Sequence, residues 1–264
     1  MRVDAAAFAT DSLELQGIEV PYARRGPEGA PSVLVLHGGG GPVSNFPALR
    51  GLSERFDVIA PVHPGYAGTP VPEHFDGMED LVYLYLDLLD ALALSDVALM
   101  GFSMGGWAAT EIAVRNTSRL GRLVLVDPVG IKPGTREARD IADVFAMPGS
   151  ELTRRQFHDP ANAPDLSELD GSEIAILAAN RTALGLYGWE PYMHNPKLPG
   201  RMHRIGLPTL ILWGESDGIV SLDYGRAFQR LIAGAKFEVI AEAGHQPQVE
   251  QPDAWLDAVR RFLG

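Results

Sequence analysis

Val97-Ala98-Leu99-Met100-Gly101-Phe102-Ser103-Met104-Gly105-Gly106-Trp107 is the stretch whose reading decides the fold. Four apolar residues in a row, 97–100, mark a strand covered on both faces. From position 104 to Arg115 the pattern turns helical. A chain that passes from strand to helix this abruptly must turn sharply, and Ser103 sits at the turn. Such a turn needs small residues two positions away on each side, which Gly101 and Gly105 supply, and Gly106 lets helix and strand pack closer still. The arrangement would expose the Ser103 hydroxyl at a helix N-terminus, where the dipole favours developing negative charge. Gly-x-Ser-x-Gly is a short pattern, so its meaning rests on what surrounds it.

Upstream, residues 12–25 alternate as two short strands about a turn at Gly17. Val33-Leu34-Val35-Leu36 is a buried strand that runs straight into His37-Gly38-Gly39-Gly40-Gly41-Pro42. A helix follows over 45–55, with Phe46, Leu49 and Leu52 at helical spacing, then a strand over 57–61. Residues 78–94 make the clearest amphipathic helix, with Leu81, Leu84 or Tyr85, Leu88 and Leu92 as its stripe. Downstream of the serine, helix 104–115 leads to a strand at 123–126. Strand and helix alternate throughout, which predicts an α/β fold, a mostly parallel sheet flanked by helices.

Between 131 and 205 the alternation breaks down into helical fragments, expected at 136–145, 150–157 and 172–186. The segment is too rich in apolar and aromatic residues for a linker. It reads as a helical cap inserted into a core made of residues 1–130 and 206–264. The core resumes with a strand over 208–213, a helix over 222–232, a strand over 236–240 and a helix over 252–263, with Pro252 suited to that helix's first turn.

Composition narrows the classes. The chain has 264 residues, 46% of them hydrophobic, and a net charge of −12. The acidic balance argues against nucleic acid or an anionic membrane as main partner, without identifying the small-molecule substrate that is expected. Absence of cysteine excludes disulfides and thiolate metal sites. The N-terminal MRVDAAAFATDSLELQG has no sustained apolar core and reads as no secretion signal, so a cytoplasmic location is the default. Seven histidines without ligand spacing suggest no metal. The chain has neither a Gly-x-Gly-x-x-Gly fingerprint nor a Walker loop, so no cofactor is implied. Nothing in the spacing speaks to oligomeric state.

In a parallel sheet, function gathers in loops leaving the carboxyl ends of the strands. Four such loops carry capable groups: the 37–41 run, Ser103, Gly214-Glu215-Ser216-Asp217-Gly218, and Ala243-Gly244-His245-Gln246-Pro247. Taken together, HGGGG at 37–41, GFSMGG at 101–106, WGESDGIV at 213–220 and GHQPQVEQP at 244–252 resemble the α/β-hydrolase superfamily over nearly the whole chain. The resemblance implies a triad in the order Ser103, Asp217, His245. It also implies an oxyanion hole from the backbone N–H of Met104 and of one glycine, Gly39, with Gly38 and Gly40 as close rivals.

The chemistry agrees with those roles. A serine hydroxyl needs a base within hydrogen-bond reach, histidine can take and return the proton, and a carboxylate behind it fixes the tautomer. Asp127 also ends a strand and is the rival for the acid. His37 is read as holding the glycine loop, Glu250 as supporting the His245 loop, and the turn at His63 and Tyr66 as structural. Gly38, Gly40, Phe102, Trp107 and Trp189 are the expected substrate-binding positions. Phe145, Met147, Phe157, Tyr187, Tyr192 and Met193 either join them in lining an apolar pocket or form the cap's own small core.

The resemblance implies a cofactor-independent serine hydrolase acting on a small, largely apolar ester. A carbon–carbon bond hydrolase of diketone ring-fission products, a perhydrolase and a non-catalytic ligand receptor are the alternatives. Serine rather than aspartate at 103 argues against epoxide hydrolases and haloalkane dehalogenases of this fold.

Overall fold

Gln16 and Gly17 both take positive φ, 52° and 76°. That conformation lets a two-residue loop match the twist of its strands, and it joins Asp11–Leu15 (β1) to Ile18–Arg25 (β2) as an antiparallel hairpin. The computed structural model describes residues 9–264. The expectation about the N-terminus therefore falls partly outside the described residues, as does the Phe46 side chain in the spacing for 45–55.

Six further strands lie parallel to one another: Ser32–Leu36 (β3), Asp57–Pro61 (β4), Val97–Phe102 (β5), Leu120–Val126 (β6), Thr209–Gly214 (β7) and Lys236–Ile240 (β8). The sheet order is β1-β2-β4-β3-β5-β6-β7-β8, with β2 antiparallel to β4. Every position of β5 and β7 is buried, which explains their near-unbroken apolar runs.

The order places the site. From β3 the chain moves outward to β4, then returns past β3 to β5. The loops leaving β3 and β5 therefore diverge, and the crevice between them is the switch point where ligands bind in open α/β sheets. Gly38 and Ser103 are the residues that meet there. A Cβ at Gly38 would lie 3.4 Å from the Cβ of Ser103.

The helices are Phe46–Leu52 (α1), Met78–Ala91 (α2), Met104–Arg115 (α3), Gly149–Gln156 (α4), Gly171–Gly188 (α5), Leu222–Arg230 (α6), Pro247–Glu250 (α7) and Pro252–Leu263 (α8). The α2 stripe packs as its spacing predicts, with Leu81, Leu84, Tyr85 and Leu88 buried. The helix stops at Ala91, short of 94, because Ala93 turns to φ 50°. Residues 42–45 form a separate 3₁₀ turn ahead of α1, so that helix is shorter than expected.

The segment between β6 and β7 carries α4 and α5 but no helix over 136–145. Its hydrogen bonds go elsewhere. Asp140 accepts from Gly134 N and Lys132 Nζ at 3.1 and 3.2 Å, and Ile141 forms a bridge with Val220. The backbones of Ile141 and Ala142 are thus engaged with the loop after β7, Ala142 N donating to Ile219 O at 2.9 Å, rather than with a helical neighbour.

Candidate active site

Ser103 sits between β5 and α3 with φ 49° and ψ −112°. A non-glycine residue in that region costs on the order of 1–3 kcal/mol and persists only where its surroundings hold it. Here Ser103 N donates to Val126 O at 2.9 Å, and Ser103 O accepts from Trp107 N and Val129 N at 3.1 and 3.2 Å. The glycines are steric requirements. A Cβ at Gly101 would lie 2.3 Å from Gly105 O, and one at Gly105 would lie 2.2 Å from Leu36 O. At Gly106 the obstacle is Pro128, in the loop after β6, at 2.8 Å. Met104 opens α3, so its N–H has no acceptor within the helix.

The loops after β7 and β8 bring two partners to this serine. His245 Nε2 lies 2.9 Å from Ser103 Oγ, and His245 Nδ1 lies 2.7 Å from Asp217 Oδ2. The other oxygen of Asp217 accepts from Ile219 N and Val220 N at 2.8 and 3.0 Å. With a carboxylate oxygen, Oδ2, as its neighbour, Nδ1 is the protonated ring nitrogen, which leaves Nε2 free to accept from the serine hydroxyl.

Asp127, at the end of β6, also reaches this region. One carboxyl oxygen each of Asp127 and Asp217 and a ring nitrogen of His245 lie within 4.8 Å of one another. The scatter of histidines along the chain did not announce this grouping. Asp217 and His245 are joined through a shared proton, so their lone pairs are not jointly aimed at an ion. It is Asp217, not Asp127, that bonds to the imidazole.

The glycine loop rests on a buried pair of stacked histidines, with ring centroids 3.6 Å apart. His63 N donates to His37 Nε2 at 3.0 Å, which leaves His37 Nδ1 to donate to Gly38 O at 2.8 Å. Gly38 O also accepts from Gly41 N at 3.0 Å. A trans peptide points its N–H opposite to its carbonyl, so fixing Gly38 O fixes the direction of the Gly39 N–H. His63 in turn donates from Nε2 to His37 O at 2.8 Å and accepts from the Tyr85 hydroxyl at Nδ1. Both rings are neutral in this arrangement.

Burial pushes His37 down to about 3, its bond to the Gly38 carbonyl offsetting part of the effect. Burial, and then the neighbouring His37, push His63 well below the usual range. The unfolded chain therefore takes up these protons first. The stabilisation is whole above the unfolded value of 6.5 and is lost as pH falls from there toward 3. Urea unfolding between pH 7 and pH 5 is expected to show stability falling in acid, steepening to about 1.4 kcal/mol per pH unit for each histidine once pH is below the unfolded value. In His37→Gln the slope should be shallower by one such contribution; an unchanged slope would contradict the neutral pair.

Helices α4 and α5 are tied directly to these loops. At the end of α4, Arg155 O accepts from Gly218 N at 2.9 Å and Gln156 O accepts from His245 N at 2.7 Å. The backbones of the loops carrying Asp217 and His245 thus hang from adjacent carbonyls. Glu250 completes the brace, accepting from Gly244 N at 2.6 Å and from His158 N and Asp159 N at 3.1 and 2.9 Å. On α5, Asn180 accepts from Ala67 N at 2.8 Å and reaches Gly40 O, Leu184 covers Gly39, and Tyr187 bonds Pro64 O at 2.9 Å. Positions 180, 184 and 187 lie on one helical face.

Several expected binding residues stand elsewhere. Phe102 is buried in the core, stacked on Trp255 with centroids 5.9 Å apart. Trp107 is buried against Gly130, and its ring N–H donates to Glu111. Trp189 is 59% exposed and packs edge-on to Phe145. Tyr192 bonds Val144 N and Ala142 O, and Phe157 and Met193 are buried. Met147 borders a cleft of about 670 Å³ that also meets Arg155, Asp217 and Ile219. Gly38 and Gly39 are beside Ser103 and Leu184 respectively, and Gly40 has open space above it. Asn180 and Leu184 gave no local signal, since only the folded helix carries them to the glycine loop.

Among the described residues, no helix is long and apolar enough to cross a membrane. Comparison with known proteins agrees with the architecture. A 2-hydroxy-6-oxo-2,4-heptadienoate hydrolase from Pseudomonas putida is 30% identical, with 88% of each chain covered. Naproxen esterase from Bacillus subtilis superposes with a TM-score of 0.75 at 20% identity, covering 96% of this chain and 90% of that one. The meta-cleavage product hydrolase CumD from Pseudomonas fluorescens IP01 superposes with a TM-score of 0.74 at 23% identity, covering 97% of each. The model of the alpha/beta hydrolase family matches residues 33–258, and the chain belongs to that family.

Proposed function

We propose that the protein is a cofactor-independent serine hydrolase that cleaves a small, largely apolar carboxylic ester through an acyl-Ser103 intermediate. One observation carries the reading: the unbroken chain from Ser103 Oγ through both ring nitrogens of His245 to Asp217, with contacts of 2.9 and 2.7 Å. His245 takes the serine proton as Oγ attacks the carbonyl and returns it to the leaving alcohol. Water then attacks the acyl-enzyme with His245 again as base. The backbone N–H groups of Met104 and Gly39 hold the oxyanion, each donor lowering the barrier by roughly 3–4 kcal/mol.

The cap side supports an uncharged acyl group. It offers Leu184 to Gly39 and an amide to Gly40 O, whereas Arg181 is engaged with Val144 O and Arg155 with Glu151. A second reading, hydrolysis of a carbon–carbon bond in a vinylogous diketone, is favoured by the 30% identical relative named for that chemistry. Both readings use Ser103.

A fluorophosphonate probe tests what they share. Wild type should be labelled and Ser103→Ala should not; no labelling of folded wild type would sink both. A panel of p-nitrophenyl esters of increasing chain length, run beside a ring-fission diketone, then separates them. Turnover of the diketone alone would overturn the ester assignment.

A further inference from the structure

Asp127 is a fully buried carboxyl that the reaction just described does not use. Its Oδ1 accepts from Gly214 N at 2.9 Å, and its N–H donates to Leu212 O, so the strand ladder fixes it. Its Oδ2 is buried and receives no donor from any neighbouring group. Beside it stands Asp217, whose side chain is also fully buried, with the two carboxyls within 4.8 Å. Two carboxylates this close and this deep cannot both be ionised. Asp217 has three N–H donors, from Ile219, Val220 and His245, and Asp127 has one. The charge belongs on the better-solvated partner and the proton on the oxygen that lacks a donor.

We infer that Asp127 is a positioning residue of the triad: a permanently neutral carboxyl whose Oδ2–H donates to the Asp217 carboxylate. The inference rests on the catalytic reading of Ser103, His245 and Asp217. Burial, with the Asp217 charge as the next contribution, pushes Asp127 well above the usual carboxylate range, which agrees with the geometry. No proton leaves Asp127 in the cycle. When the serine proton reaches His245 Nε2, Asp217 answers the imidazolium charge from a rotamer that the Asp127 hydroxyl holds, and part of its negative charge is drawn toward that hydroxyl. The titratable groups facing Asp127 from neighbouring loops are Asp217 and His245.

The test is Asp127→Asn, with Asp127→Ala beside it. Asparagine tolerates the φ of 44° at this position, keeps an acceptor for Gly214 N and replaces O–H by N–H. It should retain kcat/KM to within about threefold, one neutral donor replacing another. Alanine, which removes the donor to a charged group, should lose about 10- to 100-fold. Its acid limb in kcat/KM should move to higher pH, because an undispersed Asp217 charge favours the imidazolium.

Carbon-13 NMR of wild type labelled at the aspartate carboxyls reads the same feature without turnover. One carboxyl should hold its protonated shift across the whole range in which the protein is folded. Full ionisation of every aspartate would overturn the inference. So would a loss in Asp127→Asn as deep as that of Asp217→Asn, or an acid limb in Asp127→Ala that moves to lower pH. If wild type neither labels nor turns over esters or diketones, the catalytic reading fails, while the NMR result still decides whether Asp127 is neutral.

Discussion

Asp217→Asn is expected to lower kcat about 10⁴-fold while leaving the fold in place. The substitution conserves shape. An asparagine Oδ1 still accepts from Ile219 N and Val220 N, so the loop keeps its hydrogen bonds. What changes is the face toward His245. An NH₂ in place of Oδ2 donates where an acceptor stood, which forces the proton from Nδ1 to Nε2. The ring then offers Ser103 a donor instead of a base, and nothing stabilises the imidazolium. The check is a pH–rate profile of wild type and variant with matched unfolding curves. A fall of tenfold or less would show that another carboxylate serves as the acid.

The second large effect concerns stability as much as rate. Gly214 ends β7, where the acid loop begins, and its N–H is the donor to Asp127. A Cβ there would lie 1.8 Å from Gly244 O and 2.8 Å from Ala243 O. Both obstacles are backbone, and both belong to the base loop, so no side-chain rotamer relieves the contact. Gly214→Ala should cost at least the upper end of overpacking penalties, about 3 kcal/mol. For a chain of this size that lowers Tm by roughly 6–12 °C. Because relief requires the loops carrying Asp217 and His245 to separate, kcat should fall with it. Calorimetry and ester turnover on the same preparation check both; a variant with wild-type Tm and rate would show that the two loops are not in contact.

The parts of the site that were legible in the sequence share a physical reason. Ser103, Asp217 and His245 lie in the loops that follow β5, β7 and β8, and the chemistry of each loop is local. The glycines at 101 and 105 could be read because the turn they serve lies within five residues. Phe102 and Trp107 misled because adjacency in sequence to Ser103 says nothing about which way a ring points, and Trp189 because a segment's richness in aromatic residues does not say which of them turn inward. Along β5, neighbouring side chains take opposite faces. The expected helix at 136–145 failed for a related reason: its residues have helical spacing, but Asp140 binds back to Gly134 and Lys132, and Ile141 and Ala142 are bound to partners far along the chain. The same blindness hid Asn180, Leu184 and the pairing of Asp127 with Asp217. Each depends on a contact of more than 80 residues' separation that no local pattern encodes.

The carbonyls at the end of α4 bear on how this scaffold can be re-engineered. Replacing the whole segment between β6 and β7 is the obvious way to remodel the surroundings of the glycine loop. Here residues 155 and 156 hold the backbone of the loops carrying Asp217 and His245, so the segment between β6 and β7 is not an exchangeable cassette. A transplanted one would bring new specificity and misaligned chemistry together. Side chains on the inner turn of α5, Leu184 first among them, offer the safer route, because they border the glycine loop without suspending the loops of Asp217 and His245.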